Sequence, residues 1–125
     1  MMINKVIEPG TLRATARGAS LNIRLPWYRG LPLSVVELDS VSVDGKSVPL
    51  DQVTFSVNGN TWPAAELPKL NTETWYVLDS ATLDIDGAEI TKGNTYKVEV
   101  ALSLYPPYIR GVRRAFRWAR DMEAN

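Results

Sequence analysis

Apolar and polar positions alternate along most of this chain with the period of a half-buried strand. Tyr96, Val98, Val100, Leu102 and Leu104 fall on one face of a segment whose other face is Lys97, Glu99, Ala101 and Ser103. This is the pattern of a sheet with one buried face. Leu21, Ile23 and Leu25 alternate in the same way with Asn22 and Arg24, and Val53, Phe55 and Val57 share a face further on. Weaker strands are predicted over Ile3 to Ile7, Leu33 to Leu38, Val41 to Val43, Lys46 to Val48, Thr74 to Leu78 and Ala81 to Ile85. Thr11 to Ser20 reads as a loop or edge segment.

Turn chemistry punctuates these runs. Asp44-Gly45 and Asn58-Gly59 are two-residue hairpin signals, and Asp86-Gly87 and Gly93-Asn94 mark further turns. Pro63 and Pro68 limit 64–70 to a single helical turn. Strands recurring about every 8 to 12 residues between turns indicate an antiparallel sandwich. The expected fold is all-β, a single antiparallel β-sandwich over residues 1–108, followed by a short Arg-rich helix over 109–125. That tail carries Arg110, Arg113, Arg114, Arg117 and Arg120 against Asp121 and Glu123, a net +3, with Val112, Phe116 and Ala119 at helical spacing.

The chain is organised, in its chemistry, around Leu21 to Leu38. Pro26 ends the first strand of that stretch, and Trp27-Tyr28-Arg29-Gly30 then places two aromatics and a guanidinium on a short connection before Pro32. That composition suits a contact surface; equally, Trp27 and Tyr28 could close one end of a core.

Composition narrows the function classes. The 125 residues make one domain with one core, and 45% apolar with 22% charged residues is ordinary for a globular protein. Lys and Arg balance Asp and Glu at 14 each, which gives no global pull toward nucleic acid or anionic lipid. Cysteine and histidine are both absent. Disulfides and thiolate sites are thereby excluded, and so are the usual general base and the commonest transition-metal ligand. No apolar run reaches the roughly 20 residues of a membrane helix, and Met1 to Lys5 lacks the apolar core of a signal peptide, so a cytoplasmic protein is expected.

Motifs of catalysis are missing. There is no G-x-S-x-G, P-loop or G-x-G-x-x-G. Asp84, Asp86 and Glu89 lack the ligand series of a calcium loop and read as a solvated hairpin. The Arg-rich tail suits an acidic protein surface better than RNA in a neutral chain. Trp62 could stack on a sugar or pack on the sheet, and with Tyr105 and Tyr108 it defines an alternative reading, a free-standing carbohydrate-binding module.

Asn22-Ile23-Arg24-Leu25-Pro26-Trp27-Tyr28-Arg29-Gly30-Leu31-Pro32-Leu33-Ser34 resembles the signature of the small beta subunit of bacterial C-glycoside deglycosidases. The resemblance continues through Val41 to Gly45, Phe55 to Trp62, the Trp75 strand and the Tyr96 to Leu104 strand, covering roughly residues 1–108. It implies a hetero-oligomer with a TIM-barrel, sugar-isomerase-like alpha subunit. That partner would carry a divalent metal (manganese) and the base, and this chain would carry no cofactor and no catalytic residue. The implied reaction cleaves the C–C bond between a 3-oxo-sugar and a flavonoid-type aglycone. The 3-keto group acidifies the C2 proton, and elimination expels the aglycone as a carbanion that is then protonated. Arg24, Trp27, Tyr28, Arg29, Tyr105 and Tyr108 are the candidate interface residues, because interface cores favour aromatics and Arg. Asn58, Asn60 and Trp62 are the candidate wall of a substrate pocket. The chain departs from the expected pattern at Asn58, where the family carries a His before Gly-Asn-Thr, and after Tyr108, where the tail is unlike the usual short one.

Overall fold

The computed structural model describes residues 6–108 and 111–125. Eleven strands occupy them: β1 (Arg13–Ala14), β2 (Gly18–Arg24), β3 (Leu31–Pro32), β4 (Val36–Val43), β5 (Lys46–Ser47), β6 (Val53–Val57), β7 (Asn60–Pro63), β8 (Thr74–Trp75), β9 (Ser80–Asp86), β10 (Thr95–Leu104) and β11 (Arg114–Glu123). One sheet runs β1-β2-β9-β6-β7, the other β11-β10-β4-β5, and β3 with β8 forms a small ribbon. All the pairings are antiparallel.

The alternation explains which faces meet. Leu21 and Ile23 of β2, Phe55 of β6 and Leu83 of β9 supply one inner face. Val98, Val100, Leu102 and Leu104 of β10 supply the other with Leu38 and Val41 of β4, and all of these are buried in one continuous core. β4 is a single bent strand where two were expected. Ala101 pairs with Ser40 but Leu102 pairs with Leu38, so Asp39 is an extra residue, a bulge. The bulge shifts the alternation, which lets Leu38 and Val41 both face inward. Asp39 itself turns out to accept hydrogen bonds from Ser103 and Arg113.

The hairpin signals hold. Asp44 and Asn58 have φ of 50° and 57° and precede Gly45 and Gly59 at 81° and 78°, the left-handed pair that a two-residue turn requires. Three prolines, Pro32, Pro49 and Pro63, each open a 3-10 turn with φ near −60°, at −59°, −57° and −56°. β2 begins at Gly18, earlier than expected, and Arg13–Ala14 of the supposed loop pairs with it as an edge strand. Of the predicted first strand, residues 3–5 lie outside the described residues, while Ile7 bridges Ile23 and the Val6 carbonyl accepts the Arg24 N–H at 2.7 Å.

The C-terminal helix expected over 109–125 is a correction. Ile109 and Arg110 lie outside the described residues, and Arg114–Glu123 is a ten-residue strand paired with β10 from Thr95↔Glu123 to Leu104↔Arg114. The sequence supports either period: Val112, Phe116 and Ala119 match a helix, but Phe116, Trp118 and Met122 also fit an alternating pattern. The tertiary setting decides. Without β11 one edge of β10 would leave its N–H and C=O groups unpaired, and a full ladder satisfies them. Cross-strand pairing adds Arg117 to Glu99 at 2.9 Å, and Phe116 stacks on Trp118 with centroids 5.3 Å apart. The segment 111–125 therefore belongs to the sandwich.

Gly18 is the tightest backbone approach at the start of β2. A Cβ there would stand 2.0 Å from the Ile85 carbonyl oxygen, and its φ of 157° disfavours a side chain as well. Gly18→Ala is expected to destabilise the fold by about 2–4 kcal/mol, as strained core backbones do. Urea denaturation of the variant beside Gly59→Ala, whose Cβ meets nothing within 4 Å, measures the cost of the contact itself.

Candidate functional site

β2, β6, β9, β4, β10 and β11 all bring one end to the same pole of the sandwich, where the connections 25–30, 58–59 and 76–79 gather with residues 105–108. Pro26 ends the β2 ladder at Arg24, so the chain leaves the sheet and crosses this pole. Leu31–Pro32 then pairs with Thr74–Trp75, which fixes the far end of the crossing. Gly30 lies close over that ribbon: a Cβ would come within 3.1 Å of the Trp75 carbonyl oxygen.

Trp75 is the support underneath. It is fully buried, meets Phe55 edge to face at 5.3 Å and 77°, and its Nε1–H donates to the Asp79 carbonyl at 2.9 Å. The strand predicted over Thr74 to Leu78 stops at Trp75, because the Asp79 N–H bonds back to the Tyr76 carbonyl and closes a turn. Tyr76 and Leu78 consequently stand at the surface, 59% and 80% exposed.

At the same pole Trp27, Tyr28, Arg29 and Tyr108 converge. Trp27 Nε1–H donates to Tyr108 Oη at 2.7 Å, and the Tyr28 and Tyr108 hydroxyls share a hydrogen bond of 2.7 Å. The Trp27 and Tyr28 rings lie 5.3 Å apart, and the Arg29 guanidinium sits 5.4 Å from the centre of the Tyr108 ring. Trp27 is half-buried against the core while Tyr28 remains 70% exposed. Trp27 thus packs partly on the core, as one reading of this connection expected, while Tyr28 is turned to solvent. The hydrogen bond to Tyr108 raises the Tyr28 hydroxyl above the usual tyrosine range, with partial desolvation adding to it and Arg29 opposing it.

The remaining candidates are placed differently. Arg24 is committed within the chain, to the Leu78 carbonyl and to Glu8, with Nε 3.4 Å from the carboxylate. Tyr105, 40% exposed, donates to Glu37 at 2.9 Å, and its hydroxyl also raises the Arg113 guanidinium above its usual range. Asn58 and Asn60 are exposed on the β6–β7 hairpin, where Asn58 Nδ2 donates to the Thr74 carbonyl at 2.7 Å and braces the ribbon. Trp62 pairs with Phe55 across that hairpin and packs, half-buried, against the core. A cleft of about 320 Å³ lies at the other pole, bordered by Asp44, Lys46, Gln52, Asp86, Glu89 and Tyr96.

Tyr76 and Leu78 are the residues that sequence reasoning missed. Their run looks like continued alternation, and only the turn-forming Asp79-Ser80 hinted at an earlier stop. Among the described residues no three His, Cys, Asp or Glu converge as a metal-ligand group, and Asp86 is held by Arg17 at 2.9 Å. No helix among them is long and apolar enough to cross a membrane.

Fold and site together define an all-β sandwich whose one pole carries exposed tyrosines, a tryptophan and an arginine on a rigid base. Residues 2–108 match the family model described as C-glycoside deglycosidase beta subunit. The chain is 37% identical over 109 residues to the 3'-dehydrocarminate deglycosidase beta subunit of Microbacterium sp, covering 87% of this chain and 82% of that one. It is 38% identical, with the same coverage, to a C-glycoside deglycosidase beta subunit of Microbacterium trichothecenolyticum. To one from Arthrobacter globiformis it is 36% identical, over 87% of this chain and 83% of that one. The chain belongs to the C-glycoside deglycosidase beta subunit family. A beta subunit works within a complex, so this chain has another subunit as its partner.

The hydroxyl cluster gives a measurable signature. Because the Tyr28 pKa is raised in the folded state, its contribution to stability is full below the unfolded tyrosine pKa and is lost as pH rises through the folded one. Tyr108→Phe removes the main cause, so ultraviolet titration of the phenolates should show Tyr28 ionising earlier in the variant. An unchanged late-titrating tyrosine would place the cause elsewhere.

Proposed function

We propose that this chain is the non-catalytic beta subunit of a carbon–carbon lyase, and that its aromatic pole docks on a metal-bearing alpha subunit. The observation that carries the reading is the cluster of Trp27, Tyr28, Arg29 and Tyr108, with exposed Tyr76 and Leu78 on a connection at the same pole. Interface cores are enriched in these side chains and depleted in Lys, Glu and Asp, and exposed apolar groups gathered on one surface mark contact sites. Trp27, Tyr28 and Arg29 also fall within the stretch that carries the family signature.

The reaction proposed for the complex removes the sugar C2 proton, forms the C1–C2 double bond and breaks the C1–aglycone bond. The aglycone leaves with that electron pair and takes up a proton. The sugar is a 3-oxo-sugar; one relative's name, with its 3'-dehydro prefix, agrees with such a substrate. A divalent metal on the alpha subunit would polarise the ketone. This chain's own part is to present a pre-formed surface, because hydrogen bonds and stacking fix its aromatic side chains before binding and so reduce the entropic cost of association.

Trp27→Ala is expected to weaken assembly by about 2 kcal/mol or more, since it both removes an anchor and frees Tyr108. Native mass spectrometry with the alpha subunit reads this, and undiminished assembly removes Trp27 from the contact. The purified chain with manganese and a 3-keto C-glycoside should give no turnover until the alpha subunit is added. Turnover by the chain alone would overturn the non-catalytic assignment.

A further inference from the structure

β11 ends its sheet. Its inner side forms the ladder to β10, and among the described residues no strand pairs with its outer side between Arg114 and Glu123. The direction of its backbone groups follows from the residues just beyond it. Ala124 N–H bonds Asn94 on the β10 side at 2.9 Å, whereas Asn125 turns outward, donating to the Leu12 carbonyl at 2.9 Å and accepting from Ala14 N–H at 3.2 Å. Alternation along an antiparallel strand then points the N–H and C=O groups of Ala115, Arg117, Ala119, Asp121 and Glu123 away from β10. That is a row of donors and acceptors ready for another strand, and the edge is long and carries no proline to block it.

Charge identifies the strand that fits. The beginning of β11 and the residue before it bring Arg113, Arg114 and Arg117, its end brings Asp121 and Glu123, and Arg120 stands between. An antiparallel copy of the same strand sets the basic beginning against the acidic end twice over. A uniformly acidic strand would instead repel Asp121 and Glu123. Phe116 and Trp118, stacked and half-buried on the core-facing side, lie at the same edge and would meet their counterparts across the seam.

We propose that β11 pairs antiparallel with β11 of a second copy of this chain across a two-fold axis, so that two sheets become one. The contact is self-complementary and closes on itself, so it yields a dimer and not a filament. It lies along the side of the sandwich and uses none of the cluster at Trp27 and Tyr108, so it is independent of the docking proposed for the other subunit.

Ala119→Pro is the selective probe. Proline removes an outward N–H and leaves the β10 ladder its donors. Sedimentation velocity of the full chain over a concentration series should show a dimer that weakens with salt. In Ala119→Pro, dimerisation should fall about a hundredfold, because the two-fold loses one backbone hydrogen bond from each copy at about tenfold each. Arg117→Glu and Asp121→Arg, whose side chains share one face of the sheet, should each weaken the dimer, and mixing the two variants should restore it as a mixed species. These charge variants carry the test if the proline variant does not fold. A chain monomeric at every concentration, or a dimer indifferent to both Ala119→Pro and the charge changes, overturns the proposal. So does a monomer whose assembly with the alpha subunit is lost in Ala119→Pro, since the edge then serves that subunit.

Discussion

The ladder of β10 holds the molecule together. This ten-residue strand is paired along both edges, to β4 and to β11, and its inward side is an unbroken row of buried aliphatic residues from Val98 to Leu104. Each pairing constrains the next. β4 pairs with β10 from Val98 to Leu104 across the inserted Asp39, and β11 covers the remaining edge only by abandoning helical geometry. The facing sheet then closes on this inner face through Leu21, Phe55 and Leu83. A strand so placed carries the long-range contacts whose hydrophobic burial offsets the entropy of ordering the chain.

Most of that architecture was legible in the sequence because strand period and hairpin chemistry are local. Asp44-Gly45 and Asn58-Gly59 need left-handed backbone, and no other short-range signal competes with them. What was not legible depends on distant partners. The bulge at Asp39 answers to Ser103 and Arg113, residues far along the chain. The tail satisfies two periods at once, and only the open edge of β10 selects between them. Trp75 ends its strand early for a similar reason, since Phe55 and the Asp79 carbonyl capture its ring.

The site was legible in part. Trp27, Tyr28 and Arg29 stood out by composition, yet their joining to Tyr108, eighty residues later for Tyr28, needed the fold. Arg24 belonged by sequence to the same motif and proves to brace Leu78 and Glu8. The distinction matters physically. A side chain whose donors are engaged inside the molecule stabilises the surface, whereas Tyr28 and Arg29 keep ring and guanidinium surface turned to solvent.

The extra residue in β4 has one more effect, on slippage. A uniform pair of strands can slide by two positions and keep its apolar face inward. Here the halves of β4 on either side of Asp39 are out of phase with each other. Any such slide would leave one half matched and turn the other half's aliphatic residues to water. The chain thereby lacks a nearly equivalent misaligned neighbour state, and collapse onto β10 has a single deep alignment available to it.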